Sequence, residues 1–265
     1  MDTQQITQYY ELHGDHDSPP VLLIGGLGGV GAQWANQLER FSDRYYVILP
    51  DQRGTGRTTH AEDGYTTQQL AADLAALVAH LAVGPVHVVG ASTGAAIGQY
   101  MALDHPHAVR SLTMAGAFAR FDAFAHRGSE VRRAFVAAGD RRSRYSCYVC
   151  FLFSQRYTRE HPDKVQAWID EILANPEPPE DRAITLKRLD MIAAHDSLDR
   201  LGEIRQPSLI ICGDHDIAVG LPLSEEIVTA MPGSELVVLS GAGHLIELEQ
   251  EEEFFRIVDT FLDRH

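Results

Sequence analysis

The chain has 265 residues, enough for one large α/β domain or two small ones, and 45% of them are hydrophobic, so a substantial core can form. The formal net charge of −15 argues against nucleic acid and anionic membrane as partners, because both would repel the average surface. With three cysteines, no long apolar run and no basic leader, the sequence predicts a cytoplasmic protein without a disulfide framework.

Apolar, β-branched runs alternate with helical patterns along much of the chain. The helix predicted over 67–82 is the clearest, because Leu70, Leu74 and Leu81 share one face and Thr66 begins a capping box. Alternation of this kind predicts an α/β fold, with a mostly parallel sheet and helices on both faces. The predicted strands are 6–13, 20–25, 45–50, 85–89, 109–115, 207–212 and 235–240, and the helices between them are 31–41, 67–82, 94–104, 222–231 and 250–263.

A glycine-rich stretch follows the strand predicted over 20–25. Residues 26–31 read Gly-Leu-Gly-Gly-Val-Gly, which fits the G-x-G-x-x-G pattern of dinucleotide-binding folds, and Asp51 ends the next predicted strand. A single match of this kind is a weak signal. Dinucleotide binding is therefore an alternative that the rest of the chain has to support.

The most informative motif is Gly90-Ala91-Ser92-Thr93-Gly94. It follows the strand predicted over 85–89 and precedes a predicted helix, which is the context that a G-x-S-x-G nucleophile elbow requires. Glycine on both sides of the turn removes Cβ atoms that would collide, and it lets the serine adopt a strained backbone conformation. The alternative is a glycine-rich turn with an incidental serine.

Two later strands end in residues that would complete a catalytic triad. The strand predicted over 207–212 leads into Gly213-Asp214-His215-Asp216, and the strand over 235–240 leads to His244. Open α/β sheets build their sites at this carboxyl edge. A serine hydroxyl needs a neutral imidazole to take its proton and a carboxylate to orient that imidazole. The sequence therefore predicts a Ser-His-Asp triad that uses no metal or cofactor.

The alternation is interrupted between 118 and 206, where no β-rich run occurs. Because this stretch leaves the predicted sheet at its catalytic edge, we interpret it as a helical cap inserted between two parts of the core, 1–117 and 207–265. An extra helical layer packed away from the site is the alternative. Five arginines between 132 and 144 could bind a substrate carboxylate, although a solvated helix face explains most of them. The predicted cap helices are 128–139, 143–156, 162–174 and 181–195.

Together these motifs resemble the α/β-hydrolase superfamily over nearly the whole chain. Two further matches are residues 23–29 with Trp34, and residues 51–58. Within the superfamily the chain is most similar to the small esterase and lactonase branch, which includes 3-oxoadipate enol-lactonases and aminoacrylate hydrolases. The resemblance implies the α/β-hydrolase fold with a cap, and it favours Asp216 over Asp214 as the acid of the triad.

The same resemblance implies an oxyanion hole made by the backbone N–H groups of Thr93 and Leu27. The loop departs from the family's usual His-Gly opening, because position 25 is Gly, and this puts the rigidity of the loop in question. The expected substrate contacts are Gly26, Trp34, Arg132, Phe151 and Trp168.

The expected function is cofactor-independent hydrolysis of a small carboxylic ester or lactone through an acyl-enzyme. Hydrolysis of a carbon–carbon, enamine or amide bond on the same triad, or perhydrolysis, is the alternative. A catalytically idle hydrolase fold that serves as a receptor is the third hypothesis. The expected partner is a small-molecule substrate, with a homodimer left open and with no nucleic acid or membrane.

Overall fold

The computed structural model describes residues 6–177 and 179–265, and these residues form one seven-stranded sheet in the order β1-β3-β2-β4-β5-β6-β7. Every neighbouring pair is parallel except β1 and β3 at the edge. This arrangement confirms the predicted fold class. The strands are β1 Tyr10–His13, β2 Pro20–Ile24, β3 Tyr46–Pro50, β4 Val86–Ala91, β5 Val109–Ala115, β6 Ser208–Gly213 and β7 Glu235–Leu239.

Strand β4 lies in the middle of the sheet, between β2 and β5. Its last residues pair with the last residues of both neighbours, Gly90 with Ile24 and Ala91 with Ala115. Because parallel strands end at one edge of a sheet, whatever follows β4 lies between the loops that follow β2 and β5.

Helices cover both faces of this sheet, as the alternating pattern predicts. Helix α2 begins where the capping box places it, and the Thr66 hydroxyl accepts a hydrogen bond from the N–H of Gln69 at 3.0 Å. The predicted helix 31–41 is a 3₁₀ turn, Gly31–Trp34, followed by α1. The helices packed on the sheet are α1 Ala35–Ser42, α2 Thr67–Leu81, α3 Thr93–Asp104, α9 Gly220–Ala230, α10 Ile246–Glu249 and α11 Glu251–Leu262.

Two apolar layers hold the helices against the sheet. Strand β2 shows how they divide, since Leu22 and Ile24 face one layer while Val21 and Leu23 face the other. Strands that are buried on both faces need mainly apolar runs; β2 is wholly apolar, and the one polar side chain of β4, His87, is paired with the hydroxyl of Ser111 at 2.7 Å. No helix within residues 6–177 and 179–265 is long and apolar enough to span a bilayer.

Between β5 and β6 the chain forms a helical segment, residues 118–206, with a small apolar cluster of its own that includes Phe153 and Tyr157. The prediction of a single helix over 143–156 is wrong. A first helix ends at Leu152, and the Ser154 hydroxyl caps a second helix by accepting a hydrogen bond from the N–H of Tyr157. The segment contains α4 Ala123–Ala138, α5 Arg141–Leu152, α6 Gln155–Glu160, α7 Pro162–Ala174, α8 Pro179–Ala193 and a 3₁₀ turn at Leu198–Glu203.

Candidate active site

Ser92 occupies the turn between β4 and α3 and has a strained backbone. Its φ is +53° and its ψ is −114°, a conformation that side-chain-bearing residues rarely adopt and that costs about 1–3 kcal/mol. The surrounding structure holds it there, because the N–H of Ser92 donates to the carbonyl of Ala115 at 2.8 Å. Ser92 also stands at the N-terminus of α3, where unpaired N–H groups and the helix dipole favour negative charge.

The two glycines of the motif are required by close backbone contacts. A Cβ atom on Gly90 would lie 2.4 Å from the carbonyl oxygen of Gly94, and one on Gly94 would lie 2.2 Å from the carbonyl oxygen of Ile24. Both distances are shorter than any real contact, so only glycine permits this sharp turn. The geometry fits the elbow interpretation better than that of an incidental serine.

Asp216, and not Asp214, contacts His244. The Nδ1 atom of His244 lies 2.7 Å from Oδ2 of Asp216, and both side chains are buried. The other oxygen of Asp216 accepts from the N–H groups of Ala218 and Val219. Asp214 is exposed, and its carboxylate accepts from the N–H of Gly241 instead. The structure thus gives the two neighbouring acids different tasks.

The electrostatics of Asp216 favour a carboxylate. Burial opposes its ionisation, but His244 and the two backbone N–H groups outweigh burial and hold the pKa of this carboxyl below its usual value. A carboxylate at Nδ1 places a proton on that nitrogen and leaves Nε2 free to accept one.

The ring of His244 lies over the end of β5. A Cβ atom on Gly116 would come within 2.9 Å of Cε1 and 3.0 Å of Nδ1, so the ring occupies the space that glycine leaves. The backbone of the His loop is held by the helical segment, since the N–H groups of His244 and Leu245 both donate to the carbonyl of Leu152, at 2.9 and 3.1 Å. The imidazole is therefore brought beside the strand that also accepts the N–H of Ser92.

Glu249 ties the same two parts of the molecule together. Its carboxylate accepts from the N–H of Ser154 at 2.6 Å, from the Ser154 hydroxyl at 2.8 Å and from the N–H of Gly243 at 3.1 Å. Sequence reasoning did not single out Glu249, because its partners in the helical segment are far away along the chain.

The predicted oxyanion loop passes directly beside Ser92. A Cβ on Gly26 would lie 3.6 Å from the Cβ of Ser92, so this glycine leaves room next to the hydroxyl. Leu27 follows in the loop, and Thr93 is the first residue of α3, where its N–H has no acceptor within the helix. The loop that carries Leu27 and the start of α3 thus both lie next to Ser92.

The side chains of Arg188 and Gln52 hold this loop through hydrogen bonds to its backbone carbonyls. The Nε of Arg188 donates to the carbonyl of Leu27 at 2.8 Å and its Nη2 donates to Oε1 of Gln52, while Nε2 of Gln52 donates to the carbonyl of Gly25 at 2.8 Å. The backbone N–H of Gln52 also donates to the carbonyl of Gly29 at 2.7 Å. These contacts restrain the loop without the histidine that the family's usual opening would supply.

Arg188 belongs to α8 of the helical segment and is only 1% exposed. Burial lowers the pKa of its guanidinium to about 10, which leaves it charged at neutral pH. Its Nη1 atom has no hydrogen-bond partner among the described residues. No local pattern in the sequence could have found this residue, because its partners lie more than a hundred positions earlier.

Glu247 is a buried carboxyl beside the His–Asp pair. Its Oε2 has no hydrogen-bond partner among the residues that the structure describes. Burial raises its pKa to about 7, and the negative charges of Glu249 and Asp216 add to this while His244 opposes it. The side chain is therefore poised to change charge near neutral pH.

The expected substrate contacts are distributed over different environments. The expected contact of Trp34 with the substrate is not supported. Its side chain is 1% exposed and packs against Phe254 in the core, so it has no surface to offer a substrate. Trp168 packs edge-to-face against Phe153 inside the helical segment and is partly buried, and Phe151 is partly buried on α5. Arg132 is partly buried on α4, where burial lowers the pKa of its guanidinium and the charge of Asp216 partly opposes this.

Asp51 does not support the dinucleotide alternative. Its two oxygens accept from the N–H groups of Gly31 and Arg57, at 3.0 and 2.9 Å, and the side chain is buried. Because this carboxylate is buried and holds two loops of its own chain, it is not presented to a ribose hydroxyl. The glycines of this stretch serve the loop beside Ser92 instead.

A profile of the family described as "alpha/beta hydrolase fold" matches residues 19–250. The chain therefore belongs to the α/β-hydrolase family, as the fold and the arrangement around Ser92 indicate. It is a hydrolase.

The chain is also similar to individual proteins of known sequence or structure. The chain is 32% identical over 240 residues to "Putative carbamate hydrolase RutD" of Escherichia coli O157:H7, an alignment that covers 90% of this chain and 89% of the relative. A thermophilic esterase from Thermogutta terrifontis is 28% identical, with a TM-score of 0.82 over 98% of this chain and 94% of the esterase. An enol-lactonase from Burkholderia xenovorans LB400 shares the fold at 23% identity, with a TM-score of 0.84 over 97% and 96% of the two chains.

We expect Arg188→Met to lower kcat for ester hydrolysis by up to about 100-fold with little change in KM, because a displacement of about 1 Å in the loop carrying Leu27 is enough for such a loss. Steady-state kinetics at a temperature where circular dichroism shows a folded protein measure it. Lys187→Met is the matched control, since this neighbouring cation of α8 is exposed, and its ammonium donates to the carbonyl of Glu62 and lies 5.5 Å from the centroid of the Tyr65 ring. Equal kcat values in the two variants would mean that the loop does not depend on Arg188.

Glu247→Gln should remove a pH dependence of stability. In the folded protein the pKa of this carboxyl is raised to about 7 from an ordinary 4.5, so the folded state holds a proton that the unfolded chain releases. As the pH rises from about 5 to about 8, the free energy of unfolding of the wild type therefore falls by roughly 2–3 kcal/mol relative to that of the glutamine variant. Urea unfolding at pH 5 and pH 8 compares the two proteins.

Glu252→Gln, at an exposed position of α11, is the control for the loss of one negative charge. A constant difference between wild type and Glu247→Gln across this pH range would show that Glu247 does not titrate within it.

Proposed function

We propose that the protein is a cofactor-independent serine hydrolase that cleaves a small carboxylic ester or lactone through an acyl-enzyme, with Ser92 as nucleophile, His244 as base and Asp216 as acid. The observation that carries the proposal is the buried contact between His244 and Asp216, 2.7 Å long, beside a serine in a strained strand-to-helix turn. Strain of this kind is retained where a structure uses it, and here it presents a hydroxyl at the N-terminus of a helix.

The first half of the reaction forms the acyl-enzyme. The Ser92 oxygen attacks the carbonyl carbon while Nε2 of His244 takes the hydroxyl proton. The ionised Asp216 keeps the other ring nitrogen protonated and stabilises the imidazolium. The negative charge on the former carbonyl oxygen is met by the N–H groups of Thr93 and Leu27. His244 then returns the proton to the leaving alcohol, or to the opened end of a lactone.

The second half releases the acid. Water attacks the acyl carbon, His244 accepts a proton from it, and the tetrahedral intermediate collapses to free Ser92 as His244 gives the proton back. Every proton moves between Ser92, His244, water and the substrate. Asp216 does not need to change charge, which agrees with the low pKa of its carboxyl.

We further propose that the helical segment 118–206 is a cap over this site, with Arg132, Phe151, Trp168 and the core residue Gly26 meeting the substrate. The contacts of Leu152 with the His loop and of Arg188 with the loop of Leu27 support this, because they attach the segment to the catalytic edge of the sheet. Such a cap would select substrates while the triad does the chemistry.

Hydrolysis of a carbamate is the second candidate. The relatives at 31–32% identity bear the name of a carbamate hydrolase, and their alignments cover nine-tenths of this chain. A carbamate carbonyl would use the same nucleophile, base and oxyanion donors, so the arrangement of residues suits either substrate.

Turnover of a panel of 4-nitrophenyl esters, simple lactones and carbamates tests the function. We expect hydrolysis by the wild type without added metal, and a loss of about 10³-fold or more in Ser92→Ala, since oxyanion donors and binding alone retain only a small residual rate. A Ser92→Ala variant within tenfold of the wild type, while folded, would contradict the assignment of the nucleophile.

Asp216→Asn should lower kcat by about 10³- to 10⁴-fold, because an amide holds His244 in the wrong tautomer. Asp214→Asn is the matched control two residues away, and it should stay within about tenfold of the wild type since Asp214 only supports the loop at Gly241. The measurement is kcat on the best ester of the panel. The opposite ranking of the two variants would place the acid at Asp214.

A further inference from the structure

Arg132 is a cation in the helical segment with no anionic partner. It is partly buried on α4, and no carboxylate of the described residues lies within ion-pair distance of its guanidinium. Two other arginines of this region are neutralised, Arg133 by Asp190 and Arg144 by Glu177. A partly buried guanidinium without an ion pair has lost part of its hydration and gained no opposite charge in return. This raises the free energy of the folded protein unless a ligand supplies the missing anion.

Tyr148 provides a second unused donor beside it. The guanidinium carbon of Arg132 lies 5.6 Å from the centroid of the Tyr148 ring, within the range of a cation–π contact. The tyrosine is 9% exposed, and its buried hydroxyl has no hydrogen-bond partner among the described residues. Burial raises the pKa of this phenol to about 12, so the hydroxyl keeps its proton and remains a donor.

Tyr148 lies one helical turn before Leu152 on α5, and the carbonyl of Leu152 accepts the N–H groups of His244 and Leu245. Burial lowers the pKa of the Arg132 guanidinium, and the charge of Asp216 partly opposes this effect. The ion pair of Asp216 in the described residues is with His244, and its oxygens also accept from the N–H groups of Ala218 and Val219. The cation therefore remains available close to the proposed catalytic centre.

We propose that Arg132 and Tyr148 form a subsite that binds a carboxylate carried by the substrate, so that the preferred substrate is an acidic ester or lactone. The inference rests on the proposed function and names its substrate class. A guanidinium offers paired N–H donors that match the two oxygens of a carboxylate, and a phenol can add a third hydrogen bond. In a chain with a net charge of −15, such a local cation is needed to bring an anion to the site.

A matched pair of esters tests the subsite. The 4-nitrophenyl hydrogen ester of glutaric acid and the corresponding methyl 4-nitrophenyl diester share the scissile bond, and only the first carries a carboxylate. We expect the wild type to have the higher kcat/KM for the acidic ester. Arg132→Met should lower the ratio of kcat/KM for the acidic ester to that for the neutral one by roughly 10- to 150-fold, and Tyr148→Phe by roughly 3- to 10-fold.

Arg133→Met is the matched control, because it removes the same charge from the next position of α4, where the side chain is exposed and paired with Asp190. The ratio should be unchanged in this variant. If Arg132→Met does not fold, inhibition of the wild type tests the subsite instead. Monomethyl glutarate, which carries a carboxylate, should compete with substrate at a lower concentration than dimethyl glutarate. This difference in inhibition should become smaller as the salt concentration rises.

Equal kcat/KM values of the wild type for the two esters would overturn the subsite, and so would an Arg132→Met variant that slows both esters by one factor. Equal inhibition by the two glutarates would have the same meaning. The proposed function fails in a different way, with neither ester hydrolysed and no acyl group transferred to Ser92. Turnover of the neutral ester alone would therefore leave the function standing and remove the subsite.

Discussion

The site depends on one close contact between backbones, that of Gly94 with the end of β2. The carbonyl of Ile24 fills the place where a side chain at Gly94 would start, at 2.2 Å from an ideal Cβ. This contact brings the loop that follows β2 against the turn that follows β4. It places Gly26 beside Ser92, so the strained serine and the proposed oxyanion loop are positioned by the same packing.

The helical segment is attached to both loops that would carry out the chemistry. Leu152 accepts the N–H of His244, and Arg188 donates to the carbonyl of Leu27. Glu249 reinforces the first attachment from the core side. A segment fixed in this way cannot change its position without moving His244 or the loop beside Ser92. Changes in it are therefore expected to alter rate as well as substrate preference.

Short-range patterns were sufficient to predict the fold class and to place Ser92 at the turn between a strand and a helix. A strand followed at once by a glycine-flanked serine has few structural solutions, and parallel strands bring their carboxyl ends together. Predictions failed where distant packing decides. Trp34 was expected at the substrate but lies in the core, because its position along the chain does not reveal which face it occupies. The pairing of Arg188 with Leu27 joins residues far apart in sequence, and nothing local announces it.

The account stands on Ser92 being activated by the contact between His244 and Asp216, and covalent labelling tests this directly. We would treat the protein with a serine-directed phosphonate and locate the adduct by peptide mapping, alongside a His244→Ala variant shown to be folded. The account predicts one adduct, on Ser92, that forms much more slowly in the variant. An adduct on another serine, or labelling of Ser92 at the same rate without His244, would contradict it.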